Sequence, residues 1–415
     1  MALRTATLTT SSDVVDAQPF RFRFFRSIAA AGADWDSAAP AADAFLQRPY
    51  LEVIEAYPPL HMRVGYLVFY KQDAPIGVAL CQIQYFSGKN SLRVEEMHRS
   101  NTSRGAALAD RLKARIAGFV HFHILICGNL LVTGAHGYAF DETRIERTQA
   151  IELLDEAMKD VASTLKREEG IRVPVMLYKD LRPEWEANRA TLRQRDCLEF
   201  VIQPNMVLPL PYPTFEEYLG AMTTKYRTRA KRAFKKAQGL EKRELTLADI
   251  VQWQDLLFAH YKGIADSAGF NMVALNPGYF AGLKRLMSDA FRVFAYFDGD
   301  KLIAFFTTIY NYGSMDAHFL GYDKSYNHDR QLYLNMLYDI VRVGIASGCS
   351  EVVFARTALE IKSSVGAEPN QLYCFVRHRS RFVNRFGRST FRFMNTSEAW
   401  TQRHPFKHEE EGHSE

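Results

Sequence analysis

Two stretches of the chain alternate apolar and polar residues, break at a short polar turn, and resume. GYLVFYKQDAPIGVALCQIQYF (65–86) breaks at Gln72, Asp73, Ala74 and Pro75, and FRVFAYFDGDKLIAFFTTIYNY (291–312) at Asp298, Gly299 and Asp300. Period-two alternation across a tight turn predicts a β-hairpin in each place. Each hairpin is followed by a further strand pattern, a helical pattern and another strand. In the first half these fall at 119–132, 144–166 and 173–178, and in the second at 314–322, 332–347 and 351–355. The repeated order predicts two copies of one α/β unit.

The seam between the copies is IQPNMVLPLPYP (202–213), whose four prolines and lack of helical period predict an extended linker or a shared edge strand. Thr214, followed by Glu216 and Glu217, opens a new helix. The expected organisation is a flexible N-terminus (1–20), a first domain (21–205), a second domain (206–400) and a disordered tail (401–415).

The second copy carries the most informative stretch, 321–373. A strand ending at Gly321 leads into a polar loop (322–330). An amphipathic helix, LYLNMLYDIVRVGIASG, follows and is closed by Gly348, and EVVFA is the next strand. A helix entered from a strand end is a common place to hold an anionic group. Beyond the last strand, RTALEIKSSVGAEPNQLY places Arg356, Glu360 and Lys362 where a site would need them. If that segment is helical, Glu360 and Lys362 diverge by about 200°, and both line one site only if the turn is irregular.

Composition changes this picture in one respect. The 415 residues are 47% hydrophobic and 24% charged, with a formal charge of +5, as in an ordinary globular protein of about two domains. The charge is unevenly placed, since KYRTRAKRAFKKAQGLEKR (225–243) has nine basic residues against one acid. Helical period puts Tyr226, Ala230, Phe234 and Ala237 on its apolar side and leaves the rest as a cationic face. A second cluster, RHRSRFVNRFGR, spans 377–388. Two such clusters point to an anionic partner: cofactor phosphates, a nucleotide-linked substrate, tRNA or an acidic membrane surface.

The five cysteines (Cys81, Cys127, Cys197, Cys349, Cys374) form no CxxC pair, which favours reduced thiols and a cytoplasmic location. The N-terminus has no signal-like apolar stretch, and the apolar run at 116–132 is interrupted by His121, His123 and Asn129. There is no GxGxxG, GxxxxGK[ST], GxSxG or HExxH motif, and histidine is unclustered, so no metal site is expected. What remains is group transfer by proximity with one proton acceptor. Candidates on the predicted strand and loop are His318, Asp323, Tyr326, Asn327 and Tyr333.

Three segments carry a resemblance: FEEYLGAMTTKYRTRAKRAFKKA, YDKSYNHDRQLYLNMLYDIV, and RTALEIKSSVGAEPNQLYCFVRH with its order of Lys362, Gly366 and Tyr373. The second half resembles the Gcn5-related N-acetyltransferase (GNAT) fold, and more closely its Fem-type branch of peptidoglycan aminoacyltransferases. The first half, with CGNLLVTGAHGYAF (127–140), looks like such a domain too. The resemblance implies an α/β (α+β) fold of two tandem GNAT-like domains, each a mixed, mainly antiparallel sheet flanked by helices. It implies transfer of an acyl or aminoacyl group from a thioester or charged tRNA to an amine. Two departures stand out. SYNHDRQ replaces the glycine-spaced pyrophosphate loop of acetyl-CoA enzymes, and the helical arm of tRNA-using members has no counterpart between Tyr261 and Phe291.

The resulting expectation is an N-acyltransferase with acyl-CoA or acetyl-CoA as donor and a small-molecule, lipid or peptide amine as acceptor. In it Tyr326, Asn327, Arg330 and Gln331 meet the donor. Lys225, Tyr226, Arg227, Arg356 and Lys362 hold an anionic substrate. Glu360 or His318 accepts a proton, and Tyr373 returns one to the leaving group. The alternatives are an aminoacyl-tRNA-dependent transferase and a non-catalytic module whose basic surface binds nucleic acid or an anionic membrane.

Overall fold

The structure, a computed structural model, describes residues 20–87, 121–267, 273–380, 382–384 and 400–407. The chain folds as two compact units, one from Met1–Ile202, Ala265–Gly282 and Leu372–Thr396, the other from Gln203–Ile264, Leu283–Gln371 and Ser397–Glu415.

The first unit is built on β1 (Phe20–Phe25), β2 (Met62–Lys71), β3 (Ala74–Ser87), β4 (His121–Cys127), β5 (Tyr138–Phe140), β6 (Val175–Leu181) and β7 (Leu198–Val201). The strand order is β1-β2-β3-β4-β6-β15-β7, with β5 against β3. Here β15 (Tyr373–His378) comes from near the other end of the chain and lies between β6 and β7. Helices α1 (Ile28–Ala38), α2 (Arg48–Ala56), α3 (Arg147–Glu169) and α4 (Glu186–Gln194) complete the unit. The buried stripe of α3, from Ala150 through Leu154, Met158 and Val161 to Leu165, packs on the sheet. Gly170, in the left-handed conformation at φ 70°, ends that helix.

The second unit orders its strands β14-β8-β13-β12-β11-β10-β9. They are β8 (Asn205–Pro209), β9 (Glu241–Glu244), β10 (Phe291–Asp298), β11 (Lys301–Asn311), β12 (Ser314–Tyr322), β13 (Glu351–Ala355) and β14 (Glu368–Asn370). Its helices are α5 (Phe215–Ala221), α6 (Thr224–Lys236), α7 (Leu247–Gln252), α8 (Gln254–Ala265), α9 (Tyr279–Met287, which begins in the first unit), α10 (Lys324–Arg330), α11 (Leu332–Ala346) and α12 (Leu359–Ser363).

The predicted duplication is present. Each unit has an antiparallel hairpin, a third antiparallel strand, a helix, and a strand parallel to the third: β2-β3-β4-α3-β6, and β10-β11-β12-α11-β13. Thr214 caps α5 as expected, its side chain accepting from the Glu217 amide at 3.2 Å.

Four expectations change. The proline-rich seam is an internal strand, because β8 pairs with β13 on one side and with short β14 on the other. The polar segment 322–330 is mostly helical: Asp323 caps α10 by accepting from the Ser325 amide at 3.0 Å. The expected second domain, 206–400, loses β15 to the first unit, because Phe375 and Val376 complete the apolar register between β6 and β7. Finally, the cluster at 377–388 is not cationic surface throughout, since Arg379 is exposed and Arg377 is not. Arg377 is buried, its guanidinium bonding the buried Asp155 at 2.5 and 3.1 Å, while 381 and 385–388 lie outside the described residues.

Candidate functional site

In the second unit β12 and β13 pair in parallel only at Ser314–Glu351, Met315–Val352 and Asp316–Val353. Past that point β12 continues to Tyr322 on β11, and β13 turns to β8. The strands therefore separate beyond Asp316 and Val353. A β-bulge sits on the β12 side, where the Thr307 hydroxyl accepts from the Phe319 amide at 2.9 Å and donates to its carbonyl at 3.0 Å.

The chain leaving β13 is strained. Ala355, Thr357 and Ala358 all have positive φ, at 57°, 69° and 49°. Non-glycine residues hold such angles only where their surroundings fix them. Lys362 does the fixing: its Nζ donates to the carbonyls of Phe354 (2.6 Å), Ala355 (3.3 Å) and Arg356 (2.6 Å). Lys362 is 5% exposed, and burial pushes its pKa down to about 7.

A cavity of about 460 Å³ lies beside this bend, lined by Gln203, Arg229, Ala358, Leu359, Glu360, Ile361 and Trp400. Its volume is within the roughly 300–1,000 Å³ of small-ligand sites. Arg229 comes from α6, Glu360 from α12, and Trp400 from the strap formed by 400–407. That strap is fastened along its length. Phe406 bridges Met222, Pro405 accepts from the Thr223 amide at 2.8 Å, and Lys407 donates to Ala221 at 3.0 Å. The Arg403 amide bonds Ser363 Oγ at 2.9 Å, and its guanidinium pairs with Glu360. Gly366, at φ 101°, lets the Phe406 ring approach where a Cβ would stand 2.3 Å away.

The sequence-predicted residues divide. Glu360 lines the cavity, and Arg356 does not, its Nε donating at 2.8 Å to the carbonyl of Gln203, which does. Lys362 points inward on the opposite side of α12 from Glu360, the divergence a helix requires; it braces the bend and does not hold a substrate anion. On α6, Arg227 bonds the carbonyls of Gly220 (3.4 Å) and Met222 (3.3 Å) at the end of α5. Lys225 is exposed near the half-buried Tyr226 ring. It is Arg229, four residues on from Lys225, that reaches the cavity; the helical stripe through Lys225 carried that signal. Gln203 and Trp400 had no signal of their own.

The donor-side group is committed largely to structure. Arg330 bonds the carbonyls of Gln238 (3.3 Å) and Lys236 (3.5 Å). Asn327 Oδ1 accepts from the Tyr333 amide at 3.0 Å and so occupies part of the α11 N-terminus. Tyr326 stacks near Lys301 Nζ, 4.7 Å from its ring. Gln331, in the left-handed conformation at φ 47°, keeps a buried Oε1 with no hydrogen-bond partner among the described residues. His318 lies on the separated part of β12, and burial pushes its pKa down to about 3, which makes it a poor proton acceptor. Tyr373 belongs to the first unit, under the Arg189 guanidinium at 3.4 Å, so it is not grouped with the others.

In the first unit the corresponding strand ends are covered by the unit's own loop. A Cβ on Gly137 would stand 2.7 Å from Gly128, and the buried Asn129 bonds Tyr50 (3.0 Å) and Gln82 (3.4 Å). Asp180, also buried, accepts from the Gly134 amide at 3.0 Å and pairs with Lys179. All five cysteines are buried. Among the described residues no group of three or more His, Cys, Asp or Glu is placed to hold a metal, and no helix is long and apolar enough to cross a membrane.

Residues 224–363 match the family model described as Acetyltransferase (GNAT) domain. That span runs from α6 through α12 and contains the strand separation and most of the cavity. The chain is thus an acyltransferase carrying a GNAT domain in its second unit. Its fold is that of FemX, whose crystal structure aligns with a TM-score of 0.51 at 9% identity, covering 88% of this chain and 99% of that one. A conserved protein of unknown function from Bacteroides thetaiotaomicron VPI-5482 aligns at 0.45 and 10% identity, over 86% of this chain and all (100%) of that one. A probable N-acyltransferase from Enterococcus faecalis V583 aligns at 0.43 and 10% identity, over 86% and 72%. No curated protein matches the sequence.

Proposed function

We propose that the second unit transfers an acyl group from an acyl-CoA or similar thioester to an amine by direct attack. The observation that carries this reading is the parting of β12 and β13 after three parallel pairs, with a carboxylate-lined cavity at the bend that follows. A thioester arm lying between the parted strands would present its carbonyl near that cavity.

The amine arrives as an ammonium, loses one proton and attacks the thioester carbon. The N–C bond forms, the C–S bond breaks, and the electron pair leaves with sulfur. The second proton lost from nitrogen balances the thiolate. Glu360 accepts the first proton, and much of the acceleration comes from holding the two reactants together. His318 and Tyr373 have no part in this scheme.

The test is thiol release from acetyl-CoA and longer acyl-CoAs over a panel of amines, with the product mass determined. Amine-dependent release of free CoA with an N-acylated product is the expected result. If no acyl-CoA yields amide product, the donor assignment is wrong. Transfer from charged tRNA in the same assay would replace it.

A further inference from the structure

We propose that the cavity between α6, α12 and the 400–407 strap takes an acceptor that carries an anionic group beside its amine, as an α-amino acid or an aminoalkyl phosphate does. This rests on the acyl-transfer reading above and names its acceptor class.

Three features of the cavity point the same way. The Glu360 carboxylate is only half used. Arg403 reaches it through Nε, at 3.0 Å, and through Nη2, and both nitrogens end on Oε1. Oε2 has no partner among the described residues, in a side chain that lines the cavity. A carboxylate oxygen left open while an arginine holds the other one is a receptor for an ammonium. Trp400 lines the same cavity, and an indole face adds attraction for a cation. Arg229 supplies the opposite charge. It lines the cavity, is exposed, and has no hydrogen bond or ion pair among the described residues, whereas Arg227, Arg330, Arg356, Arg377 and Arg403 all have partners. An unpaired guanidinium fits a carboxylate or phosphate by two parallel hydrogen bonds. Glu360 and Arg229 do not pair with each other, so the cavity keeps one pole of each sign apart. A ligand with both charges satisfies both; a simple amine satisfies one.

Binding without any acyl donor tests this apart from catalysis. Calorimetry or thermal shift on the full chain would use leucine, phenylalanine and lysine, their decarboxylated amines, the matching carboxylic acids that lack the amine, and O-phosphoethanolamine. The expected result is that at least one zwitterion binds about tenfold more tightly than its matching amine and its matching acid. O-Phosphoethanolamine, set against the amino acids, tells a phosphate from a carboxylate preference. Arg229→Gln is a surface change and should fold normally. It should remove the advantage of the zwitterion while leaving the affinity for the simple amine in place. Glu360→Gln should weaken every amine. The proposal is overturned if no zwitterion exceeds its amine counterpart, or if Arg229→Gln leaves the preference intact. Acyl transfer to simple amines alongside either result would keep the transferase reading and discard this acceptor class. Zwitterion binding with no transfer from any thioester would do the reverse.

Discussion

Both Arg403 nitrogens that reach Glu360 end on one oxygen, Oε1, and Oε2 has no partner among the described residues. The arginine orients the carboxylate without saturating it. Glu360→Gln keeps the shape and removes the charge. It is expected to lower kcat/KM for acyl transfer by about 10²-fold, in line with loss of a proton acceptor. Arg403→Ala leaves the carboxylate but frees it to rotate, and is expected to give a smaller loss that Arg403→Lys partly recovers. Steady-state thiol release on the three variants would check the order, and equal activity in parent and Glu360→Gln would remove Glu360 from the reaction.

Lys362 predicts a stability effect rather than a binding one. Lys362→Met leaves three carbonyls without their donor beside a strained bend. It is expected to destabilise the protein by about 2–4 kcal/mol, read from urea unfolding. The pH dependence has a definite sign. Burial holds the folded-state pKa down to about 7, against an ordinary lysine value of 10.5. Between those limits the unfolded chain binds a proton that the folded chain does not, so this group makes stability rise with pH from about 7 to 10.5. The Met variant should lack that rise.

Asp155 carries the opposite lesson in the first unit. It is fully buried among Arg377, Arg195 and Tyr178, and although burial alone would raise its pKa, hydrogen bonds and charge from Arg377 hold it well below the usual carboxylate range. Its stabilising contribution is therefore complete above the ordinary carboxylate pKa of about 4 and is lost as pH falls toward the folded value. Asp155→Asn should cost about 3–5 kcal/mol at neutral pH, because Arg377 is left buried without its counter-charge. Acid unfolding of the variant should be shallower than that of the parent.

Gly366→Ala tests the strap. A methyl there meets the Phe406 ring and must also adopt φ 101°. The expected loss is about 1–3 kcal/mol, with weaker acceptor binding because Trp400 and Arg403 depend on the same fastening. Melting temperature and acceptor KM should move together.

The hairpins and the helix at 332–346 were legible because their periods, two and 3.6, are set by which face must be buried. The cavity was partly legible. Glu360 and the cationic helix stood out by charge, and the two-residue offset from Glu360 to Lys362 already implied that they would point apart. Lys362 looked like a ligand and is a brace, because sequence does not show that three carbonyls would lack other donors. His318 reads the same in a core as in a site until its burial is known. Arg377 and Tyr373 misled for another reason. Strand β15 joins a sheet whose other strands lie more than 170 residues earlier, and no local pattern encodes that pairing. Trp400 depends on a return of the chain that is equally non-local.

That long-range pairing bears on how the protein is made. The sheet of the first unit has a gap between β6 and β7 until residues 373–378 have left the ribosome, and the same segment delivers the guanidinium that neutralises Asp155. The sheet of the first unit must wait, incomplete, through synthesis of residues 203–371 of the second unit and its neighbours. Truncation shortly before Tyr373 would therefore damage the unit whose other strands were made earlier.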